Sequence, residues 1–127
     1  MKIETVQLTE ITISELERID GISVITKDYK PGVGEITIKS YNKIWNAYWG
    51  AMSGKTVSQF FRSCDNDYLI KNMAGGLYAT MDDPNWEPQE DEHGDYRPQQ
   101  VPNPEYEWLN KIVDVVKASL QELEVTA

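Results

Sequence analysis

GEITIKSYNKIWNAYWG, residues 34–50, alternates apolar and polar residues but changes phase half-way along. Ile36 and Ile38 fall on even numbers, whereas Trp45, Ala47 and Trp49 fall on odd ones. Side-chain direction in a strand has a period of two, so one unbroken strand would send these residues to opposite faces. A turn or bulge around Tyr41-Asn42-Lys43 restores a single apolar face, and Asn42 suits the left-handed backbone such a turn needs. Two antiparallel strands, about 34–40 and 44–49, are therefore expected.

Upstream, GISVITKDY followed by KPGVG adds a strand over about 22–29. Pro31 presets φ and Gly32 supplies a positive φ, so a hairpin joins it to the next strand. Weak alternation through Ile3, Val6 and Leu8 suggests a further short strand over Met1–Leu8. Thr12 or Ser14 then caps a helical turn containing Leu16 and Ile19, which Gly21 ends by taking the left-handed conformation.

Downstream the period becomes helical. Val57, Phe60, Phe61 and Cys64 make an i, i+3, i+4, i+7 stripe, and Thr56 with Gln59 has capping-box spacing. Asp65 or Asn66 caps a second helix, DYLIKNMA, closed by Gly75-Gly76. Leu109, Ile112, Val113, Val116, Leu120 and Leu123 form the stripe of a C-terminal helix of about five turns. The fold expected is α+β: a three- to four-stranded antiparallel meander packed against two short helices and a long C-terminal helix. Residues 1–127 form a single domain, with an acidic, proline-rich loop at about 82–104.

Hydrophobic residues make up 40% of the chain and charged ones 26%, a balance of globular rather than disordered proteins. No apolar run is long enough to span a bilayer, and the first residues lack the order of a signal peptide, so a cytoplasmic protein is expected. One cysteine, Cys64, cannot form an internal disulfide. The net charge of −9 is localised: residues 81–127 carry twelve acids against three bases, and the remainder balances to zero. A neutral body with a concentrated acidic segment points to a solvating tail or a surface for a basic partner.

Gly50, then Gly54-Lys55-Thr56, resembles a phosphate-binding loop, but that loop requires four residues between its glycines and this chain has three. A parallel sheet with an acidic magnesium-binding strand would also be needed, and hairpins are what the sequence offers. The glycines are read instead as bracketing a strand-to-helix turn capped by Ser53 or Thr56. Asp91, Glu92, His93 and Asp95 match no calcium-loop or zinc-helix spacing. Asp65 and Asp67 are read as helix-capping residues rather than a carboxylate dyad, and Cys64, on the apolar stripe, as a buried inert thiol. No catalytic residue, metal or cofactor is implied.

WNAYWGAM (45–52) and FFRSCDNDYLIKNM (60–73) give the chain its one resemblance. It is similar to small accessory proteins carried by tailed phages and prophages of enteric bacteria, over about residues 20–75 with an echo in the terminal helix. That group has no assigned catalytic motif to carry over. The resemblance implies a phage-encoded protein made in the bacterial cytoplasm, where accessory genes encode factors that bind and redirect host or defence proteins.

The function expected is thus a non-enzymatic interaction protein that binds a host or defence macromolecule with a basic surface, its acidic region acting as a partial nucleic-acid mimic. Trp86, Tyr96 and Trp108 would serve as aromatic anchors among Glu87, Glu90, Asp91, Glu92 and Asp95. The alternative is single-stranded nucleic-acid binding, with Tyr41, Trp45 and Tyr48 stacking bases beside Lys39 and Lys43; the favoured reading of Trp45 and Trp49 is instead core, packed against the helix of Phe60 and Phe61. An enzymatic reading would need Asp65, Asp67 or His93 to converge in a deep pocket.

Overall fold

A computed structural model describes residues 1–5, 8–16, 21–87 and 98–126. Four strands form one antiparallel sheet in sequential order: β1 (Thr9–Ile13), β2 (Ile22–Lys30), β3 (Val33–Ser40) and β4 (Lys43–Trp49). Two short helices follow, α1 (Val57–Ser63) and α2 (Asn66–Met73). A two-stranded clasp of β5 (Thr80–Asp82) and β6 (Gln100–Pro102) then leads into the long α3 (Pro104–Thr126).

The register explains the phase change. Ile36 pairs with Ala47 and Ile38 with Trp45, so the even positions of β3 and the odd positions of β4 share the inner face. Ile22 and Val24 of β2 join them, and the face is closed by Val57 and Phe61 of α1, Leu69 and Ile70 of α2, and Leu109, Ile112, Val113 and Val116 of α3. Among the described residues the helices thus all lie on one side, and none of them covers the outer face of the sheet.

The β3–β4 turn is a two-residue loop, Tyr41-Asn42, between the paired Ser40 and Lys43. Its left-handed residue is Tyr41, at φ 54°, and not Asn42 as expected. A mirror-type hairpin turn needs positive φ at its first central position, and the register puts tyrosine there. At the other hairpin Gly32 takes φ 81° after Pro31, and Tyr29 is an extra residue bulged between the pairs Asp28–Gly34 and Lys30–Val33.

Three expectations need correction. The first strand is Thr9–Ile13, because Ile11 and Ile13 pair with Val24 and Ile22 at the margin of the core, while Ile3 and Leu8 stay exposed. Thr12 therefore belongs to a strand instead of capping a helical turn, and the positive φ in this region falls on Glu15 rather than Gly21. Ile19 lies outside the described residues. The segment 82–104, expected to be loop throughout, is pinned at its base by the β5–β6 clasp, with Thr80 paired to Pro102 and Asp82 to Gln100.

Candidate functional site

The loop between β4 and α1 is tied to the β2–β3 hairpin by backbone hydrogen bonds. Met52 N–H donates to Gly32 O at 2.9 Å, and Gly32 N–H donates to Lys55 O at 3.2 Å. The two glycine backbones are in contact: a Cβ on Gly32 would stand 3.0 Å from Gly54 N. At the start of α1, Thr56 Oγ1 accepts from Gln59 N–H at 3.2 Å, Gln59 Oε1 accepts from Thr56 N–H at 3.1 Å, and Asp28 Oδ1 accepts from Val57 N–H at 2.8 Å. The N–H groups of Met52, Lys55, Thr56 and Val57 are thus engaged by the protein itself, and Asp28 brings a carboxylate to the start of α1, where an anion would otherwise be drawn.

The acidic region starts from a fixed base. Beside the β5–β6 pairing, Gln100 Nε2 donates to Asp82 Oδ1 at 2.7 Å and Asn103 Nδ2 donates to Tyr78 O at 3.0 Å. Asn103 also caps α3, its Oδ1 accepting from Glu105 N–H at 3.1 Å, and Pro104 sits in the first turn, where no N–H is required. This helix start was legible as Asn-Pro followed by acids, a signal that the proline-rich reading of 82–104 absorbed.

Several acids of the region are engaged internally. Glu105 pairs with Lys43 at 3.4 Å, Asp114 Oδ1 accepts from Asn66 Nδ2 at 2.7 Å, and Glu124 pairs with Arg62, whose Nη1 also donates to Gln121 Oε1 at 2.6 Å. Glu87 and Glu107 are exposed, without an ion pair to another described residue. Trp86 is half-buried next to an Asp83 turn in which Asp83 Oδ1 accepts from Asn85 N–H at 2.9 Å. Trp108 is half-buried on α3, with its ring 5.3 Å from Trp45 and 6.4 Å from Tyr41. Glu90, Asp91, Glu92, Asp95 and Tyr96 lie outside the described residues, as does His93.

The five residues of the nucleic-acid alternative divide between environments. Trp45 is 6% exposed in the core, and Lys43 shares its parity on the inner side, held by Glu105. Lys39 and Tyr48 belong to the solvent face, and Tyr41 stands at the turn. They do not form one stacking surface.

Asp65 caps α2 by accepting from Tyr68 N–H at 2.8 Å. Asp67 accepts from the Tyr106 hydroxyl at 2.8 Å and pairs with Lys71 at 3.1 Å; the tyrosine bond first, then the lysine, hold its carboxyl below the usual range. Burial pushes the Cys64 thiol up, away from a reactive thiolate, and Lys117 Nζ donates to the Cys64 carbonyl at 2.5 Å where α1 ends. A cavity of about 190 Å³ lies near the β1 edge between Ile11, Thr26, Thr56 and Leu120, and neither Asp65 nor Asp67 lines it. Among the described residues no group of three or more potential metal ligands is assembled, and no helix is long and apolar enough to cross a membrane.

Compared with protein families, residues 1–87 match the model of Phage_phiTE_072, a phage family. The matched region takes in the sheet, α1, α2 and β5, and leaves β6 and α3 beyond it. No curated protein and no solved structure matches the chain.

Proposed function

The chain belongs to this phage family, and on that premise we propose that it is a non-enzymatic accessory protein, acting in the cytoplasm of an enteric bacterial host, that binds a host or defence protein with a basic surface. The supporting observation is the confinement of the whole net charge of −9 to residues 81–127, on a body that is otherwise neutral. Such a distribution steers encounter with a basic cleft normally filled by nucleic acid. Glu87, Glu90, Asp91, Glu92 and Asp95 supply the charge, and Trp86, Tyr96 and Trp108 the apolar anchors. The β5–β6 clasp favours this role, because a segment tied at both ends loses less freedom on binding than a free tail.

The test is affinity capture by the tagged chain from nuclease-treated bacterial lysate, at low and at high salt. One stoichiometric protein partner, weakened by salt, supports the reading. Recovery of nucleic acid alone, when the nuclease is omitted, rejects it.

A further inference from the structure

Among the described residues nothing pairs with the outer edge of β4. Its turn closes on the pair Ser40–Lys43, so the ladder bonds to β3 fall on the odd positions of β4. The Ile36 carbonyl faces β4, as this parity requires, and also accepts from Asn46 Nδ2 at 3.1 Å. The backbone N–H and C=O groups of Ile44, Asn46 and Tyr48 therefore point away from the sheet, and no described residue outside β3 bonds to the backbone of β4.

Free edges are ordinarily protected by prolines, bulges or central charges. β4 has seven residues, no proline and an unbroken register; its one lysine, Lys43, sits at the turn and is drawn to Glu105. Ile44 and Tyr48 are 63% and 59% exposed, large apolar surfaces on the same strand and the same outer face. β1, the opposite edge, is shorter and polar at Thr9, Glu10 and Thr12.

We infer that β4 pairs antiparallel with β4 of a second copy, about a two-fold axis at Asn46, to make a continuous eight-stranded sheet across a homodimer. The register selects itself. With Asn46 opposite its own copy, Ile44 meets Tyr48 of the second copy and Tyr48 meets its Ile44. Shifting the axis to Trp45 or Ala47 breaks both apolar pairs. In the chosen register all three outward-facing residues of each chain form bonded pairs, giving about six backbone hydrogen bonds. This is the isologous, self-complementary geometry of a closed dimer.

The pairing does not rest on the proposed function, and salt separates the two. Each chain carries −9, so the copies repel, and screening strengthens the dimer where it weakens an acidic contact with a basic partner.

Sedimentation velocity over a concentration series tests it. The wild-type chain should move from 14.6 kDa toward twice that mass, with tighter association between about 50 and 500 mM salt. Ile44→Lys with Tyr48→Lys should remain monomeric, since like charges then face each other. Ile44→Lys with Tyr48→Glu should dimerise again, because the register sets lysine against glutamate. These side chains are exposed, and circular dichroism checks that each variant folds. Asn46→Cys in a Cys64→Ser background should form an intermolecular disulfide, since bonded pairs lie about 5.5 Å apart between Cα atoms. A wild-type chain monomeric throughout, equal dimerisation of both double variants, or no crosslink at 46 overturns the pairing.

Discussion

Asp28, near the end of β2, accepts a 2.8 Å hydrogen bond from the backbone N–H of Val57 at the start of α1. A residue of the sheet thus caps a helix 29 positions along the chain. The bulge at Tyr29 lets β2 continue to the hairpin while Asp28 keeps its inward direction. Removing the carboxylate in Asp28→Ala should cost about 1–2 kcal/mol, and Asp28→Asn, which keeps an acceptor, markedly less. Urea unfolding checks this: a midpoint for Asp28→Ala equal to that of the wild-type chain would show that the bond contributes nothing.

Gly34 stands where β3 passes under α1, and a Cβ there would collide with the Val57 side chain and the Lys27 carbonyl. Gly34→Ala should destabilise the chain by about 2–4 kcal/mol, because backbone and a fully buried side chain must both move. The same change at Gly50, where a Cβ meets nothing nearer than the Tyr48 ring at 3.6 Å, should cost about 1 kcal/mol or less. Thermal melting of the pair measures the contrast.

Tyr41 holds a left-handed backbone and packs its ring 6.4 Å from Trp108. The strain costs about 1–2 kcal/mol and the aromatic contact offsets about 0.5–1.5 kcal/mol of it. Tyr41→Gly should therefore leave stability nearly unchanged, whereas Tyr41→Val, β-branched and without the ring, should lose about 2 kcal/mol. Chemical denaturation followed by tryptophan fluorescence reads both.

The Asp67–Tyr106 bond joins α2 to α3 and links stability to pH. The Tyr106 hydroxyl, then Lys71, lower the Asp67 pKa in the folded state. Its contribution is therefore present above the unfolded pKa and is lost as pH falls through the folded one. Desolvation, with the Asp67 bond second, raises the Tyr106 pKa, so its contribution is present below the unfolded value and fades as pH rises through the folded one. Tyr106→Phe should flatten the stability profile at both ends, below about pH 4 and above about pH 10. A variant profile parallel to wild type throughout would contradict the linkage.

The sequence made the sheet legible because its decisive signal is a parity: even positions before Tyr41 and odd ones after it can share a face only if the chain reverses there. α1 and α2 were equally plain, since Thr56 and Asp65 combine capping chemistry with an apolar stripe, and both cap as expected. The first strand was misplaced because Ile3 with Leu8 and Ile11 with Ile13 alternate about equally well, and only pairing with Val24 and Ile22 chooses between them. The clasp was missed because three-residue strands are too short to show a period. Trp45 and Trp49 were legible as core from their parity with Ala47, and Trp49 does meet Phe60 of α1 at 5.1 Å; that Trp45 instead packs on Trp108 of α3 depends on a distant helix, which no local pattern encodes.

The central claim is that the acids of 81–127 bind a basic partner. Its most direct test is capture by the wild-type chain and by a variant carrying Glu87→Gln, Glu90→Gln, Asp91→Asn, Glu92→Gln and Asp95→Asn, side by side at low salt. Charge steering implies that the variant recovers about tenfold less of the same protein, or associates that much more slowly, and that the gap closes at high salt. Equal recovery by both chains at low salt would contradict the claim.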